Sequence, residues 1–371
     1  MRFKYLNMVM TAVLACALVI GSTASHACTG IVLKAQDGSP VYARTLEFGA
    51  EVVSFGLIAV PRGLAYHGQT PDGQPGLAWT VKYGHAGFNP FGMPLLGEGV
   101  NEKGLACGSF FLPGFAQYQT YDQADRGRTI SNLDFVSWVL GSFASVAEVR
   151  RALPQVTVTE VVLKNVSKNF PVFPLPMHFL VVDADGAALV VEYVGGKLHL
   201  YDCPLGIITN SPEYPWHMAN QRNYIGLSPY NRAPQKVDGL VLKQFGEGSG
   251  SIGLPGDFTP PSRFVRANYL AHAAYPGQGP WETVQLALRI LNQFDIPLGA
   301  LRNKQGDKTI SDTTQWTSAT DLKNRRIYFH TYQNRRVRLV DLNKLDLSGK
   351  KILSQPLDQP EKVEDVSARF K

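Results

Sequence analysis

Apolar and polar residues alternate in many short stretches along this chain, and glycine-containing turns separate those stretches. Alternation with a period of two predicts strands that bury one face, and the turns predict that neighbouring strands pair as hairpins. The first hairpin joins residues 30–35 to residues 40–45 through Asp37-Gly38. Further strands are predicted at 52–60, 77–83, 99–111 with a turn at 102–104, 178–182, 187–193, 197–201, 207–209, 326–332 and 336–341. This pattern predicts a long antiparallel meander.

Three segments carry apolar residues at helical spacing instead. The first helix is expected after Ser131 or Asn132, each of which can cap a helix N-terminus, and the second begins at Pro260-Pro261. The apolar positions of the first and third helices are Leu133, Val136, Leu140, Val284, Leu288 and Leu291. Antiparallel strands in blocks that alternate with helices predict an α+β layered domain rather than a parallel βαβ sheet. Because no repeat or linker interrupts them, residues 28–371 are expected to form one domain.

The first 27 residues differ in composition from the rest of the chain. Arg2 and Lys4 precede a nearly continuous apolar run at 9–20, and Ser25 and Ala27 are small residues at the positions that signal peptidase recognises. The apolar run is too short to span a bilayer comfortably, so a cleaved signal peptide is favoured over an uncleaved membrane anchor. The sequence therefore predicts a secreted or periplasmic protein that begins directly after Ala27.

Charge gives little support for a nucleic-acid partner. Loss of the two basic residues of the signal lowers the formal charge from +6 to +4, an excess that is too small to favour nucleic acid. The densest basic cluster lies on two predicted strands, where a solvated hairpin face is favoured over an anionic membrane or ligand surface. Its members are Lys323, Arg325, Arg326, Arg335, Arg336 and Arg338. The sequence contains no phosphate-binding, dinucleotide-binding or metal-ligand motif, so no cofactor and no metal are expected.

Three cysteines remain after the cleavage point, an odd number for an oxidising compartment. Cys107 and Cys203 lie in strand-like segments and are expected to be small buried residues, with a disulfide between them as the alternative. Either arrangement leaves Cys28 unpaired at the new N-terminus.

An N-terminal cysteine carries a thiol and an α-amine on one residue. The amine has a pKa near ~8, so it can act as the base for the thiol without a histidine partner. The first predicted hairpin brings Arg44 beside Cys28, where a permanent positive charge would favour the thiolate. Without that cysteine, Arg44 would be an ordinary arginine at the end of a strand.

Five blocks of sequence carry a resemblance to a known family. They are CTGIVLKAQDGSPVYARTLEF from residue 28, GVNEKGLACGSFFLPGFA (99–116), ITNSPEYPWHMANQRNY (208–224), GLPGDFTPPSRFVRA (253–267) and TQWTSATDLKNRRIYFHTY (314–332). In this order they resemble the choloylglycine hydrolase family, the linear amide C–N hydrolases that include bile salt hydrolases and penicillin V acylases. The resemblance implies the four-layer αββα sandwich of N-terminal nucleophile hydrolases, usually assembled as a tetramer, with a cysteine exposed by processing.

The same resemblance implies a role for individual residues. Cys28 matches the nucleophile and base, and Arg44 matches the arginine beside its sulfur. Asn210 matches the asparagine whose side-chain amide donates to the oxyanion, and Arg263 matches the remaining active-site arginine. Phe111 stands where bile salt hydrolases often have asparagine and some penicillin V acylases have tyrosine, and its backbone N–H is expected to be the second oxyanion donor.

Two positions depart from the family pattern. Glu47 stands where the family usually has an aspartate that accepts a hydrogen bond from the N-terminal amine, and its longer side chain is expected to reach the same amine. Phe111 makes the pocket more apolar than asparagine would, which suits phenoxyacetyl or fatty acyl groups as well as bile acids. Conjugated bile salts, penicillin V and N-acyl homoserine lactones therefore remain alternative substrates. His178 and His217 are expected to be structural or pocket-lining residues.

A function of another class is a lipid-anchored binding module with an acylated Cys28. Acylation would destroy the pair of thiol and amine, and Ser25 stands where a lipidation site normally has leucine. The favoured hypothesis is a secreted N-terminal cysteine amidohydrolase that acts on a small-molecule amide. It has no nucleic-acid partner and no stable membrane anchor after cleavage, and the resemblance implies a homotetramer or another homo-oligomer.

Overall fold

The computed structural model of the 371-residue chain describes residues 27–49, 54–90, 92–167, 170–305 and 307–370. The predicted signal peptide lies outside the described residues except for Ala27. The helices are α1 Phe135–Ser142, α2 Val146–Ala152, α3 Tyr214–Asn220, α4 Pro260–Ala273 and α5 Pro280–Leu291. Short 3₁₀ helices lie at Gln123–Arg128, Leu153–Gln155, Gln221–Tyr224, Ser249–Ser251, Asn292–Phe294, Leu342–Lys344 and Ser367–Arg369.

Strands make up most of the regular structure. They are β1 Cys28–Lys34, β2 Pro40–Gly49, β3 Phe55–Val60, β4 Ala65–Gln69, β5 Pro75–Thr80, β6 His85–Pro90, β7 Glu98–Asn101, β8 Ala106–Phe111, β9 Thr129–Ser131, β10 Thr157–Thr159, β11 Leu163–Ser167, β12 Phe170–Phe173, β13 Met177–Val182, β14 Ala188–Val194, β15 Lys197–Asp202, β16 Ile207–Ile208, β17 Gln235–Val237, β18 Leu240–Leu242, β19 Leu301–Gln305, β20 Lys308–Asp321, β21 Arg326–Thr331, β22 Arg338–Asp341 and β23 Leu353–Pro356.

Two antiparallel sheets contain most of these strands. The first sheet has the order β16-β1-β2-β20-β21-β22, with β19 also paired to β20, and the second has the order β15-β14-β13-β8-β7-β6-β3-β23. The two sheets face each other: Phe88 of β6 stacks on Trp316 of β20 with ring centroids 4.2 Å apart. Buried apolar side chains from both sheets fill the space between them, and their removal from water stabilises this packing.

Helices cover the outer faces of both sheets. Helices α4 and α5 pack against β1, β2 and β20 of the first sheet, and α1 packs against β7 and β8 of the second. Proline residues stand at the start of α4 and α5, where a backbone N–H would have no acceptor within the helix. They therefore favour the start of each helix at these positions. The resulting order of layers is helix, sheet, sheet, helix, and the predicted αββα sandwich is confirmed.

The first hairpin brings the start of the chain's first strand into the sandwich. β1 pairs with β2 so that Cys28 lies opposite Leu46 and Gly30 lies opposite Arg44. A Cβ atom at Gly30 would lie 2.7 Å from the ring of Phe110, so only glycine leaves room for this ring. The ring in turn packs against the Arg44 guanidinium, 4.1 Å from its centroid. The hairpin therefore delivers both Cys28 and Arg44 to the space between the sheets.

The structure confirms the predicted hairpin turns at 37–38, 102–104, 185–186 and 195–196 and the start of the helix at Pro260. The predicted cap of α1 is wrong. The backbone N–H and the hydroxyl of Ser131 both donate to the carboxylate of Asp134, at 2.9 and 2.7 Å, so a turn separates Ser131 from the helix. Asp134 is the residue that precedes α1. The predicted strand at 52–60 begins at Phe55 within the described residues.

The cysteines and the basic cluster also have defined surroundings. Cys28, Cys107 and Cys203 are all buried and form no disulfide, so the alternative Cys107–Cys203 bridge is wrong. The basic cluster lies on the edge hairpin β21–β22 and its flanks, where Arg326 pairs with Asp341 at 3.1 Å. Within the part of the chain that the structure describes, every helix falls short of the length and apolar character needed to cross a membrane.

Candidate active site

Cys28 lines an apolar pocket between the two sheets. The pocket encloses about 700 Å³, including its open mouth, and Cys28 is only 3% exposed. Among the described residues, the polar side chains that line it are those of Cys28, Arg44, Glu47 and Ser109. The rest of the lining is Leu46, Phe48, Phe55, Phe88, Pro90, Leu95, Leu96, Gly97, Phe111, Leu133, Leu175, Met177 and Trp316. Such a lining favours an apolar group next to the thiol.

The backbone nitrogen of Cys28 is held by Asn210. Its N–H donates to Asn210 Oδ1 at 2.8 Å, and the same oxygen accepts from Nη2 of Arg263 at 2.6 Å. Arg263 Nη1 donates to the carbonyl of Cys28 and to Oγ1 of Thr29, the latter at 2.9 Å. Arg263 thus joins the first turn of α4 to the start of β1 and to the loop that carries Asn210. Burial lowers the pKa of Arg263 to about 10, although Glu47 and Cys28 raise it.

The side-chain nitrogen of Asn210 points to Phe111. Nδ2 donates to the carbonyl oxygen of Phe111 at 2.8 Å. The side chain therefore presents its oxygen to the nitrogen of Cys28, and one of its two amide hydrogens is used by Phe111. The predicted donation from the Phe111 N–H to an oxyanion stays a prediction. The Phe111 ring lines the pocket and lies edge-on to Phe48, with centroids 6.3 Å apart.

Arg44 approaches Cys28 from the space between the sheets. Its Nη1 donates to the carbonyl of Ser109 at 2.7 Å, and its Nε donates to the carbonyl of Thr45 at 3.2 Å. The guanidinium carbon lies 4.1 Å from the ring centroid of Phe110 and 5.3 Å from that of Trp316. Burial lowers the pKa of Arg44, but Cys28, Tyr42 and Glu98 raise it further than burial lowers it. Arg44 is therefore a fixed positive charge beside the thiol.

Glu47 is buried directly next to the Ala27–Cys28 peptide bond. Its backbone N–H donates to the carbonyl of Ala27 at 3.0 Å, and its Oε1 accepts from the hydroxyl of Thr314 at 3.1 Å. Across residues 27–49, 54–90, 92–167, 170–305 and 307–370, Oε2 has no hydrogen-bond partner. Burial raises the pKa of Glu47 to about 8, against the lowering effect of Arg263. The acid is therefore largely protonated at neutral pH while Ala27 is in place.

The thiol of Cys28 is a weak acid in this state. Burial raises its pKa, and the charge of Arg44 offsets only part of that effect. Glu47 raises it further once it is ionised, whereas the backbone N–H of Glu47 and the charge of Arg263 lower it. With the Ala27–Cys28 bond intact, the thiol lacks a neighbouring amine that could accept its proton.

His178 and His217, which were expected to be structural or pocket-lining residues, hold the loop that carries Asn210. His217 Nε2 donates to the Asn210 carbonyl at 2.8 Å, and burial lowers the pKa of His217 to about 4, so its ring is neutral. His178 Nε2 donates to the Thr209 carbonyl at 3.2 Å, and its Nδ1 lies 2.9 Å from Oε1 of Glu192. Both histidines support the loop and neither lines the pocket. The sequence pattern did not identify Glu192, because this residue lies in an otherwise apolar strand.

The structure thus brings Cys28, Arg44, Glu47, Asn210 and Arg263 together from distant parts of the chain. All five are almost completely buried. Thr314, Glu98 and Ser318 complete the surroundings, and sequence reasoning missed them. Within the described residues, no group of three or more His, Cys, Asp or Glu side chains has the arrangement of a metal site.

Comparisons with known proteins identify the family of this chain. The chain matches the model of the linear amide C–N hydrolases, choloylglycine hydrolase family, over residues 28–363. It is 32% identical to the bile salt hydrolase/transferase of Clostridium perfringens, covering 88% of this chain and 95% of that protein. It is 26% identical to the penicillin V acylase of Pectobacterium atrosepticum, covering 90% of this chain and 85% of that one. A solved variant of the conjugated bile acid hydrolase from Clostridium perfringens superposes with a TM-score of 0.78 at 29% identity, covering 92% of this chain and 100% of that one. The chain therefore belongs to the choloylglycine hydrolase family and is a hydrolase of linear amides.

Proposed function

We propose that Cys28, once it is the first residue of the mature protein, is both the nucleophile and the base of the amidase reaction. The observation that carries this proposal is the position of its nitrogen. That atom lies 2.8 Å from Asn210 Oδ1, beside the same pocket that the thiol lines. Removal of Ala27 would turn an amide nitrogen, which cannot accept a proton, into an amine held at the same place.

The reaction then proceeds through a thioester. The amine takes the proton of the thiol while the sulfur attacks the amide carbonyl of the substrate, and a C–S bond forms. The C–N bond breaks when the amine passes that proton to the leaving nitrogen. A water molecule, deprotonated by the same amine, hydrolyses the thioester and releases the acid. The second amide hydrogen of Asn210 Nδ2 and the N–H of Phe111 serve as oxyanion donors.

Glu47 and Arg44 each stabilise one charged group of Cys28: Glu47 stabilises the ammonium form of the amine, and Arg44 stabilises the thiolate. Within the described residues, Glu47 Oε2 has no hydrogen-bond partner, and the backbone N–H of Glu47 donates to the Ala27 carbonyl. The buried Glu47 carboxylate is therefore available to the ammonium form of the new amine. A positive neighbour lowers the pKa of a carboxyl group, and Glu47 becomes an anion when the amine is protonated. Arg44 remains charged throughout and favours the thiolate during attack.

The pocket supports a substrate with an apolar acyl group and a small polar amine part. Three of its four polar lining side chains, those of Cys28, Arg44 and Glu47, lie around the reacting atoms. The fourth is Ser109, whose hydroxyl donates to the carbonyl of Gly97 at 2.9 Å. Acyl groups without hydroxyls, such as phenoxyacetyl or a fatty acyl chain, match this lining directly. We infer that penicillin V and N-acyl homoserine lactones are cleaved, and that conjugated bile salts, which relatives are named for, are cleaved as well.

Export and removal of the first 27 residues are part of the same proposal. The family match begins at Cys28, which supports a mature protein that starts there. Ala27 and Cys28 are only 4% and 3% exposed, so a peptidase would have to cut between them before the chain folds. A signal peptidase that acts on the unfolded chain during export meets this condition. We infer a periplasmic or secreted enzyme without a lipid anchor.

We also infer that the enzyme is a homo-oligomer. Residues 225–252 carry the hairpin β17–β18 away from the sandwich, and apolar side chains on this arm are exposed. They are Val237, Leu240, Val241, Leu242 and Phe245. An exposed apolar patch of this kind fits a second copy of the chain. Light scattering should give the mass of an assembly for the native protein and a lower mass for Leu240→Glu; a native monomer would contradict this inference.

The test of the function combines two cysteine variants with a substrate panel. Mature protein is assayed on penicillin V, glycocholate, taurocholate and an N-acyl homoserine lactone. Cys28→Ala should lower turnover of every amide by at least ~10³-fold, because the nucleophile is lost. Cys203→Ala removes another buried thiol, which lies outside the site, and should retain turnover. Equal activity in the two variants would disprove the role of Cys28, and the absence of turnover in native protein on all four amides would disprove the proposed substrate class.

A further inference from the structure

A second buried carboxylate pairs with Arg44 without lining the pocket. Glu98 is the first residue of β7, is 1% exposed and does not line the pocket. Its Oε2 lies 3.3 Å from Nε of Arg44, with both side chains buried. Its Oε1 accepts from the hydroxyl of Ser318 at 2.6 Å. This ion pair therefore links β7 of the second sheet to β2 and β20 of the first.

The guanidinium of Arg44 has almost no freedom of its own. Nη1 is bound by the Ser109 carbonyl, Nε faces the Thr45 carbonyl and Glu98, and the rings of Phe110 and Trp316 pack against it. Within the described parts of the chain, only Nη2 lacks a hydrogen-bond partner. Because a guanidinium is planar, fixing Nε and Nη1 also fixes the direction of Nη2. With Arg44 lining the pocket beside Cys28, the remaining donor is the one available to the sulfur.

Glycine at position 108 makes this crossing between the sheets possible. Gly108 of β8 lies opposite Glu98 in the sheet, and a Cβ atom there would lie 2.2 Å from the hydroxyl of Tyr42 and 3.4 Å from Nη1 of Arg44. Any side chain would therefore displace the groups that surround the ion pair. The polar groups that act on the Glu98 carboxyl are Arg44 and Tyr42 of β2 and Ser318 of β20.

A charged partner also makes it possible to bury Arg44 in the resting enzyme. A guanidinium without a compensating charge is costly to bury, and the thiol of Cys28 is neutral until the reaction begins. Burial raises the pKa of Glu98 to about 7, while Arg44 and Ser318 lower it. Nε donates its single hydrogen to the Thr45 carbonyl, so Glu98 Oε2, 3.3 Å from Nε, holds the guanidinium by charge and contact and not by a hydrogen bond.

We propose that Glu98 is a positioning residue for the amidase reaction: it holds Arg44 so that Nη2 faces the sulfur of Cys28. This inference rests on the proposed role of Cys28. Glu98 itself touches neither the substrate nor the reacting atoms. Glu98 acts by fixing the direction of the Arg44 guanidinium, and the quantity that reports this effect is the pKa of the Cys28 thiol.

The test compares Glu98→Ala with Glu98→Gln in mature protein. Alanine removes the carboxyl group that pairs with Nε, so Arg44 is held less firmly in its direction. The pKa of the Cys28 thiol, measured from the pH dependence of alkylation by iodoacetamide, should rise by about 1 unit, and kcat should fall roughly tenfold with KM unchanged. Glutamine keeps the shape of the side chain and a partly negative oxygen in contact with Nε, so the thiol pKa should not rise and kcat should stay within about threefold of the native value.

Controls separate this role from a loss of folding. Asp183→Ala removes another buried carboxylate, which accepts from the backbone of Val146, Asp185 and Ala187, and should lower Tm without changing the thiol pKa. If Glu98→Ala does not fold, Ser318→Ala removes the hydroxyl that holds Glu98 and should raise the thiol pKa by a smaller amount. An unchanged thiol pKa in the folded alanine variant overturns the proposal, as does an equal rise in the glutamine variant.

The outcome also separates this inference from the proposed function. If native protein is active, Cys28→Ala is inactive and Glu98→Ala behaves as native, only the positioning role fails. If Cys28→Ala retains activity, the proposed nucleophile fails whatever Glu98→Ala does. Background alkylation at Cys107 and Cys203 is measured in Cys28→Ala and subtracted.

Discussion

Two arginines are buried beside Cys28, and they differ in what surrounds them. Arg263, on the helix side of the first sheet, binds neutral oxygen atoms: the carbonyls of Cys28 and Phe258, Thr29 Oγ1 and Asn210 Oδ1. Arg44, between the two sheets, pairs with a carboxylate and lies against two aromatic rings. Burial lowers the pKa of Arg263 to about 10, whereas the neighbours of Arg44 raise its pKa.

This difference separates a framework role from an electrostatic one. Arg263 uses its donors to fix three chain segments, and few of them remain for chemistry. Arg44 donates fewer hydrogen bonds to neutral groups, and its Nη2 remains available to the pocket. Burying two like charges near one thiol is tolerable because one of them has a counterion and the other has an acceptor for each of its three nitrogens.

The largest effect is expected when the framework arginine is removed. Arg263→Met should lower the free energy of unfolding by about 3 kcal/mol or more, because buried acceptors in three segments lose their donor. Denaturant unfolding measures this loss. Arg266→Met on the same helix, which is held by the carbonyls of Pro255 and Asp257, is the matched control and should cost less. An inactive but fully stable Arg263→Met would show that Arg263 acts in chemistry and not as framework.

Removal of the electrostatic arginine should act mainly on the thiol. In Arg44→Met the thiol pKa should rise by about 1–3 units and turnover should fall by roughly 10- to 100-fold. Stability should fall less than in Arg263→Met, because Glu98 can take up a proton when its partner is absent. Alkylation rates against pH, with unfolding measured in parallel, check both statements. A larger stability loss in Arg44→Met than in Arg263→Met would reverse the comparison.

The acid next to Arg263 predicts a pH effect on stability in protein that retains Ala27. The folded-state pKa of Glu47 is raised to about 8, whereas an unfolded glutamate has its ordinary value near 4.5. Between these values the folded chain holds a proton that the unfolded chain has released. Stability should therefore decrease as pH rises from 4.5 to 8, by up to about 1.4 kcal/mol per pH unit from this group. Glu47→Gln, unfolded at pH 5, 6, 7 and 8, should show a flatter profile; an identical profile would refute the assignment.

The smallest effect concerns the pocket that both arginines border. Phe111→Ala removes part of the apolar lining without touching either arginine. It should lower kcat/KM for an aromatic or fatty amide by about 5- to 10-fold, which corresponds to roughly 1 kcal/mol of lost apolar contact. The thiol pKa should not change. A shift in thiol pKa would show that the Phe111 ring also controls the surroundings of the reacting group.

Patterns in the sequence were sufficient for the local parts of this architecture. The hairpin of β1 and β2 follows from alternation and an Asp-Gly turn, and it already places Arg44 near Cys28. The α+β layered class followed from the blocks of strands and helices, whereas the four-layer αββα order and the roles of Asn210 and Arg263 came from the family resemblance. These residues lie in a loop and on a helix, whose approach to Cys28 depends on tertiary packing.

Buried polar residues were not predicted from the sequence, and neither was the strand that carries several of them. β20 was not predicted because serine, threonine and aspartate dominate it, yet most of its residues are buried. Its polar side chains are needed inside: Thr314 donates to Glu47 and Ser318 donates to Glu98. Glu98 lies one residue before the strand predicted at 99–111 and was not singled out. Single-sequence alternation cannot identify buried polar partners, because their pairing is set across two sheets.

The most direct test of the central claim compares two forms of the same chain, one that begins at Cys28 and one that retains Ala27. Intact mass verifies each N-terminus, unfolding verifies that both are folded, and hydrolysis of penicillin V and glycocholate is then measured at neutral pH. The form that begins at Cys28 should hydrolyse at least one of these amides, and the form that retains Ala27 should be slower by at least ~10²-fold because its nitrogen cannot accept the proton of the thiol. Equal turnover by the two forms would contradict the account.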